Sequence, residues 1–180
     1  MAAVGYTLFD TPLGRCAIAW TERGVVAMQL PTGSDAALVS RVQRRFPEAG
    51  EGTPPPFVEE ATSGISALLG GASVDLATVP LDLEGSPAFD RRVYEQARTI
   101  PRGTTRSYGE IAEALGDPLL AREVGRALGS NPIAVLVPCH RVVAADGSMG
   151  GFSARGGSAT KRRMLAAEGH IEPQLALFEA

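Results

Sequence analysis

The sequence predicts an α+β protein in two parts, strand-rich up to residue 85 and mostly helical beyond it. Three observations predict this. "VGYTLFDTPLGRCAIAWTERGVVAMQL" holds three β-rich runs separated by the turn-like "TPLG" and "TERG". "EGSP" at 84–87 is a natural boundary, and the apolar spacing after it becomes helical. No internal repeat or low-complexity segment competes with that division.

Each element follows in order. The three opening runs form a β-meander. "DAALVSRVQRRFP" repeats Leu38, Val42 and Phe46 every fourth residue, a helix for which Asp35 is the expected N-cap. "GEGTPPPF" reads as a loop, "FVEEATSGISALLGG" as a helix, and "VDLATVPLDL" as one further strand or two. "AFDRRVYEQARTI" brings Phe89, Val93 and Ala97 into phase. In "SYGEIAEALGDPLLAREVGRALGSNP", Ser107 stands three residues before Glu110, a capping box. Gly116 can close that helix, and Asp117–Pro118 opens the next with an N-cap and Pro in the first turn. Two helices joined so tightly predict a helix-turn-helix, a hairpin also common in proteins that never touch DNA.

Bulk properties narrow the class. Of 180 residues, 44% are hydrophobic and 21% charged, an ordinary globular composition. Two distant cysteines make no disulfide framework. "MAAVGYTLFD" reads as the start of a strand rather than a leader, and no apolar run approaches the roughly 18 residues of a membrane span. The expectation is a cytoplasmic, reduced, monomeric protein with no membrane partner and no cofactor. Residues 1–85 offer Cys16 and no His, so no metal is expected there. The net charge of −3 argues against nucleic acid, but its distribution does not. Residues 1–85 carry five Arg against ten acids, and residues 86–170 carry twelve Lys and Arg against eight acids. The second helix of the hairpin should turn Leu120, Val124, Ala127 and Leu128 inward. Ala121 and Gly125 are small and lie elsewhere, flanked by Arg122 and Arg126. Such a face admits phosphates closely, and it is equally a solvated helix surface.

The chemistry centres on "AVLVPCHRVVAADG". A cysteine is a strong nucleophile only as a thiolate, and a free thiol pKa of about 8.5 keeps most of it protonated near neutrality. His140 is the neighbouring base. If 139–142 is extended, however, His140 points away from Cys139 and shares a face with Val142, so contact needs a bend or a bridging water. On spacing alone the pattern favours a buried, inert Cys139. Near the end, "SATKRRMLAAEGH" reads as a helix closed by Gly169 with Glu168 in its last turn, where a carboxylate meets the negative end of the dipole. Glu168 is either incidental there or required to orient a histidine.

"PCHRV", preceded by "SYGEIA", "AREVG" and "SNP" and followed by "GGFS" and "KRRMLAAEG", resembles the O6-alkylguanine-DNA alkyltransferase family from about Ser86 to Gly169. The first half resembles the family's N-terminal domain more loosely. The resemblance implies a ribonuclease H-like roll over 1–85 and a winged-helix-like domain with a helix-turn-helix over 86–172, with a tail at 173–180. It implies direct-reversal DNA repair with base flipping. Cys139 would take the alkyl group from O6-alkylguanine once and irreversibly, with O4-alkylthymine a second candidate substrate. His140 would act as base through a water and Glu168 would orient it. Tyr108 would assist the departing guanine, and Asn131 would tie the turn after the recognition helix to the reactive loop. Arg122 would enter the duplex where the damaged base leaves. Ala121 and Gly125 would suit the narrow minor groove, and Ser107 would stand with them at the DNA. Gly151, Phe152 and Ser153 would line the alkyl pocket.

The sequence departs from the family in several places. "GGFSARGGSATK" is slightly longer than the commonest version of this loop, Phe152 stands where Tyr is frequent, and Glu123 puts a negative charge beside Arg122. The rival reading is a non-enzymatic protein that binds alkylated DNA and flags lesions. Such proteins carry another residue, often Trp, at the acceptor position, and Cys139 argues against it. A cysteine hydrolase would turn over, whereas this chain should accept one alkyl group. No cysteine-rich metal module stands before the domain in this sequence, so the adaptive-response regulator arrangement is not expected. In the tail, Gln174–Phe178, "QLALF", resembles the pentapeptide by which bacterial repair and replication proteins dock on the sliding clamp. Leu175, Leu177 and Phe178 would be its anchors, and packing back on the domain is the alternative.

Overall fold

The computed structural model describes residues 5–150 and 154–170. Its contacts group into two units. One runs to Gly85 and includes Pro132–Leu136, and the other runs from Ser86 to Asn131 and resumes at Val137. The stretch 132–136 therefore departs from a division at 85/86. It joins the first unit because Met28 donates its N–H to the Pro132 carbonyl and Ala134 donates to the Met28 carbonyl.

In the first unit, β1 (Gly5–Thr11), β2 (Gly14–Trp20) and β3 (Val25–Gln29) form the expected antiparallel meander. A short β4 (Gly50–Glu51), inside the segment read as a loop, pairs parallel to β1 and gives the sheet order β3-β2-β1-β4. α1 (Asp35–Arg45) begins one residue earlier in its capping than expected. Ser34, not Asp35, is the N-cap, its hydroxyl accepting from the Ala37 N–H, and Asp35 lies in the first turn. Leu38, Val42 and Phe46 pack with Tyr6, Ala17, Ala19 and Val26. By alternation along β2, Cys16, Ile18 and Trp20 point to the opposite face, and they too are buried. α2 (Pro56–Leu69) is helical as expected. "VDLATVPLDL" is not a strand. It makes only a bridge, Val25 donating to the Pro80 carbonyl and Asp82 donating back to Val25. Pro80 has no N–H to extend the bridge into a ladder.

In the second unit, α3 (Ala88–Arg98) donates two side-chain hydrogen bonds to backbone carbonyls of the hairpin. The Tyr94 hydroxyl donates to the Ala127 carbonyl at 2.9 Å, and Arg92 donates to the Leu115 carbonyl at 3.0 Å. β5 (Arg106–Ser107) leads into α4 (Tyr108–Ala114), and β5 pairs parallel to β6 (Val142–Val143). Gly116, at φ 103°, turns the chain out of α4 in a conformation that costs other residues energy. Pro118–Leu120 forms a turn of 3-10 helix, capped by the Asp117 carboxylate on the Leu119 N–H, and runs into α5 (Ala121–Gly129). Val124, Ala127 and Leu128 are buried as expected, while Leu120 is only half-buried. α6 (Gly157–Ala167) carries Glu168 as its C-cap residue. No described helix is long and apolar enough to cross a membrane, and no cluster among the described residues has the donors to hold a metal ion.

Candidate functional site

The site is built where α4, α5, the 137–150 segment and α6 converge in the second unit. The capping box predicted at α4 is present. The Ser107 hydroxyl accepts from the Glu110 N–H at 3.1 Å, and the Glu110 carboxylate accepts from the Ser107 N–H at 2.6 Å. The Ser107 side chain thus serves the helix N-terminus. It also fixes Tyr108, the next residue, at the head of α4.

On α5, Arg122 and Glu123 are exposed, and Ala121 and Gly125 are half-buried. Gly125 looks toward the site, since a methyl group there would lie 3.8 Å from the Tyr108 ring. Arg126 is drawn to buried Asp90 at 3.4 Å, so the basic face read from the sequence reduces to Arg122. That side chain has no ion-pair partner among the described residues.

Two tight turns bring the chain to Cys139. The Leu136 N–H donates to the Ala134 carbonyl around Val135, whose φ is +70°. This is a γ-turn that a β-branched residue adopts at a cost on the order of 1–3 kcal/mol. The Cys139 N–H then donates to the Val137 carbonyl around Pro138, at φ −79° and ψ 64°, an inverse γ-turn that proline's ring accommodates. Asn131 donates to the Val137 carbonyl at 2.9 Å and holds this second turn.

The extended conformation considered for 139–142 is not what forms. Cys139–Arg141 is a turn of 3-10 helix, and Cys139, His140 and Arg141 are all buried. The bend sends His140 to the α6 terminus, where its Nε2 lies 2.8 Å from Glu168 Oε1. Arg141 grips the same carboxylate. Its Nε lies 3.0 Å from Oε2 and its second guanidinium nitrogen 2.8 Å from Oε1, while the remaining nitrogen donates to the Ile100 carbonyl at 2.7 Å. Burial pushes the Glu168 carboxyl up, but the hydrogen bonds from His140 and Arg141 outweigh it and hold the pKa at about 2. Burial also pulls His140 below the usual histidine range, against the opposing pull of Glu168. A neutral imidazole beside an ionised carboxylate must place its proton on Nε2. Nδ1, which is buried and makes no hydrogen bond to the protein, then carries the basic lone pair.

Burial raises the Cys139 pKa, so the thiol is protonated at rest. An Asn131 side-chain hydrogen bond, the charge of Lys161 and the backbone N–H groups of Cys139 and His140 all act in favour of the thiolate. The surroundings are arranged to receive a negative sulfur that burial keeps from forming spontaneously. Burial also raises the Tyr108 phenol, with the Cys139 charge adding to it, so the phenol remains a donor.

Lys161 and Arg141 are the parts that sequence reasoning missed. Within "TKRRM" a lysine reads as one of three solvated cations, yet Lys161 is 1% exposed. Its ammonium donates to the Val142 carbonyl at 2.5 Å and the Met149 carbonyl at 2.6 Å, and lies 5.8 Å from the Tyr108 ring centre. It ties together both ends of the loop that follows β6. Burial lowers its pKa to about 8, the Cys139 charge opposing. Gly150 closes the loop against Tyr108. Its φ is +64°, and a methyl group there would lie 2.8 Å from the phenol oxygen. Lys161→Met is expected to lower the unfolding free energy by about 2–4 kcal/mol, because each orphaned buried acceptor costs about 1–3. It should also raise the Cys139 pKa. Urea titration and the pH dependence of thiol alkylation measure the two effects. Gly151, Phe152, Ser153, Gln174, Leu175, Leu177 and Phe178 lie outside the described residues.

Comparisons with known proteins cover this part of the chain and, for some relatives, nearly all of it. Residues 88–170 match the family model described as 6-O-methylguanine DNA methyltransferase, DNA binding domain. The bifunctional transcriptional activator/DNA repair enzyme Ada of Escherichia coli is 39% identical over 170 residues, which cover 94% of this chain and 47% of that protein. This chain therefore spans about half the length of Ada. The methylated-DNA–protein-cysteine methyltransferase of Mycobacterium leprae is 46% identical over 121 residues, covering 67% of this chain and 71% of that one. The crystal structure of Mycobacterium tuberculosis OGT in complex with DNA superposes with a TM-score of 0.73 at 34% identity, over 97% of this chain and 99% of that one.

Proposed function

The chain belongs to the O6-alkylguanine-DNA alkyltransferase family, and from that premise we propose that it repairs DNA by moving an alkyl group from guanine O6 onto its own Cys139. The observation that carries this reading is the buried Cys139 thiol, held by Asn131 and followed directly by a histidine locked to a carboxylate. The 86–172 domain holds this machinery and 1–85 is its N-terminal domain. Sγ attacks the alkyl carbon as the carbon–O6 bond breaks, and the electron pair of that bond returns to the guanine ring. His140 Nδ1 takes the thiol proton through a water, and Glu168 with Arg141 keeps the imidazole in the tautomer that can accept it. The Tyr108 phenol donates to the departing base. The resulting thioether has no route back, so each chain reacts once.

The target atom is out of reach inside a duplex, so the nucleotide must be rotated out, at a cost smaller for a poorly paired base. Arg122, exposed and without an internal acid to hold it, enters the stack in its place. Ala121 and Gly125 keep the α5 surface low enough for the minor groove, and Gly151, Phe152 and Ser153 line the alkyl pocket. The free thiols of Cys16 and Cys139 suit a reducing cytoplasm, and the protein acts as a monomer. The same chemistry extends to O4-alkylthymine, whose alkylated oxygen offers an equivalent leaving group.

Incubation with an O6-methylguanine duplex followed by intact-mass measurement tests the proposal. A gain of one methyl group per chain, with no second turnover, supports it. Tight binding without mass gain overturns it in favour of a lesion-binding protein. The QLALF segment supports a second contact, docking on the bacterial sliding clamp. Deleting residues 173–180 is expected to abolish clamp pull-down and leave repair of a short oligonucleotide intact, and clamp binding that survives the deletion refutes it.

A further inference from the structure

We propose that Leu119 is an apolar wedge that packs against the deoxyribose wall of the DNA minor groove, next to the nucleotide that Arg122 displaces. The proposal rests on the alkyltransferase reading and adds a contact to it. Leu119 is 86% exposed, the large apolar side chain that stands out in this way among the described residues.

Its exposure is built rather than incidental. The Asp117 carboxylate accepts from the Leu119 N–H at 2.9 Å, and the Leu120 N–H donates to the Asp117 carbonyl at 3.1 Å. Pro118 fixes the turn from within. Leu120 takes the inward position, so Leu119 cannot turn to the core without unwinding the cap.

The turn continues into α5, which puts Leu119 three residues before Arg122, on the same side of the helical path. The chemistry of that side selects the partner. Phosphate contact calls for cations, and of the two exposed charges within a turn of Leu119, Glu123 opposes Arg122. An apolar side chain beside one arginine matches the sugar C–H wall between phosphates. Minor-groove proteins that distort a base step carry Leu, Ile, Phe, Met or Pro into the groove and insert them between bases; here the side chain lies along the groove wall instead. The half-buried Gly125, three residues past Arg122, keeps the surface beside that arginine low.

The test compares Leu119→Ser and Leu119→Ile with wild type, for methyl transfer from O6-methylguanine in a duplex and from O6-methylguanine as a free base. Leu119→Ser is expected to be about tenfold slower on the duplex, the loss of burial of one Leu side chain. It should equal wild type on the free base, which makes no groove contact. Leu119→Ile should restore the duplex rate. The salt dependence of duplex binding should not change, because an apolar contact releases no counterions. An unchanged duplex rate overturns the proposal, and so does an equal loss on both substrates, which places the defect in the reaction site. Loss of a dimer in sedimentation with the duplex rate intact overturns it in favour of a second copy of the chain. If wild type transfers from neither substrate, the alkyltransferase reading itself has failed.

Discussion

Cys139→Ser is expected to remain folded, to bind an O6-methylguanine duplex, and to gain no mass. The substitution keeps the volume of the side chain nearly constant and gives Asn131 a hydroxyl to bond in place of the thiol. The unfolding free energy should move by no more than about 1 kcal/mol. The reaction is another matter. A serine hydroxyl is far harder to deprotonate than a thiol and is a poor nucleophile toward saturated carbon. Burial already raises the Cys139 thiol above its ordinary pKa, so the site has little driving force to spare. Lys161 and the Asn131 hydrogen bond that favour a thiolate are not enough to ionise an alcohol. Removing the nucleophile from a covalent catalyst costs on the order of 10⁶ in rate, which puts transfer below detection by intact mass. Wild type measured alongside should stop at one methyl group per chain. Continued turnover by wild type would refute the single-use mechanism, and methyl uptake by Cys139→Ser would refute the acceptor.

The parts of this molecule legible from sequence are those whose cause is local. The Ser107–Glu110 capping box, the Gly116 exit and the Asp117–Pro118 restart are all decided within four residues, and each forms as expected. Local propensity misled where a strand needed a partner. "VDLATVPLDL" has β-branched residues but meets β3 only at a bridge. The site was legible in its conspicuous members and not in its supports. Cys139, His140 and Glu168 could be singled out because a thiol, an imidazole and a misplaced carboxylate are rare or odd in this chain. Arg141 and Lys161 look like ordinary surface cations. Their meaning comes from acceptors far away in sequence, Glu168 and Ile100 for one and the Val142 and Met149 carbonyls for the other. Spacing also gave no sign of the two γ-turns, so an extended 139–142 was the natural assumption, and with it a His140 that points the wrong way.

Glu168→Gln should be the most damaging conservative change outside the nucleophile, because one carboxylate performs two functions. It neutralises Arg141, a residue only 9% exposed, and it fixes the proton of His140 on Nε2. An uncharged amide leaves the Arg141 charge buried without a counter-ion, which is expected to cost about 3–5 kcal/mol of stability. The amide can also turn its NH₂ toward Nε2, which moves the imidazole proton to Nδ1 and removes the lone pair that accepts from the thiol. An equivalent tautomer error in a serine-protease triad lowers turnover about 10⁴-fold. A fall of 10²–10⁴ in the single-turnover rate is therefore expected here, the lower end applying if solvent substitutes for His140. Stability against pH separates the two functions. Glu168 and His140 both have folded pKa values depressed below their unfolded ones, so the folded chain binds fewer protons in acid. The stability that these two groups contribute should be fully present above about pH 6.5, then fall as His140 is forced to charge and fall again toward pH 2 as Glu168 protonates. Glu168→Gln should start lower and lose the second fall. A rate that drops only in proportion to the folded fraction would show that Glu168 holds the fold together and nothing more. A rate that drops 10²-fold or more in fully folded protein requires the carboxylate to act through His140.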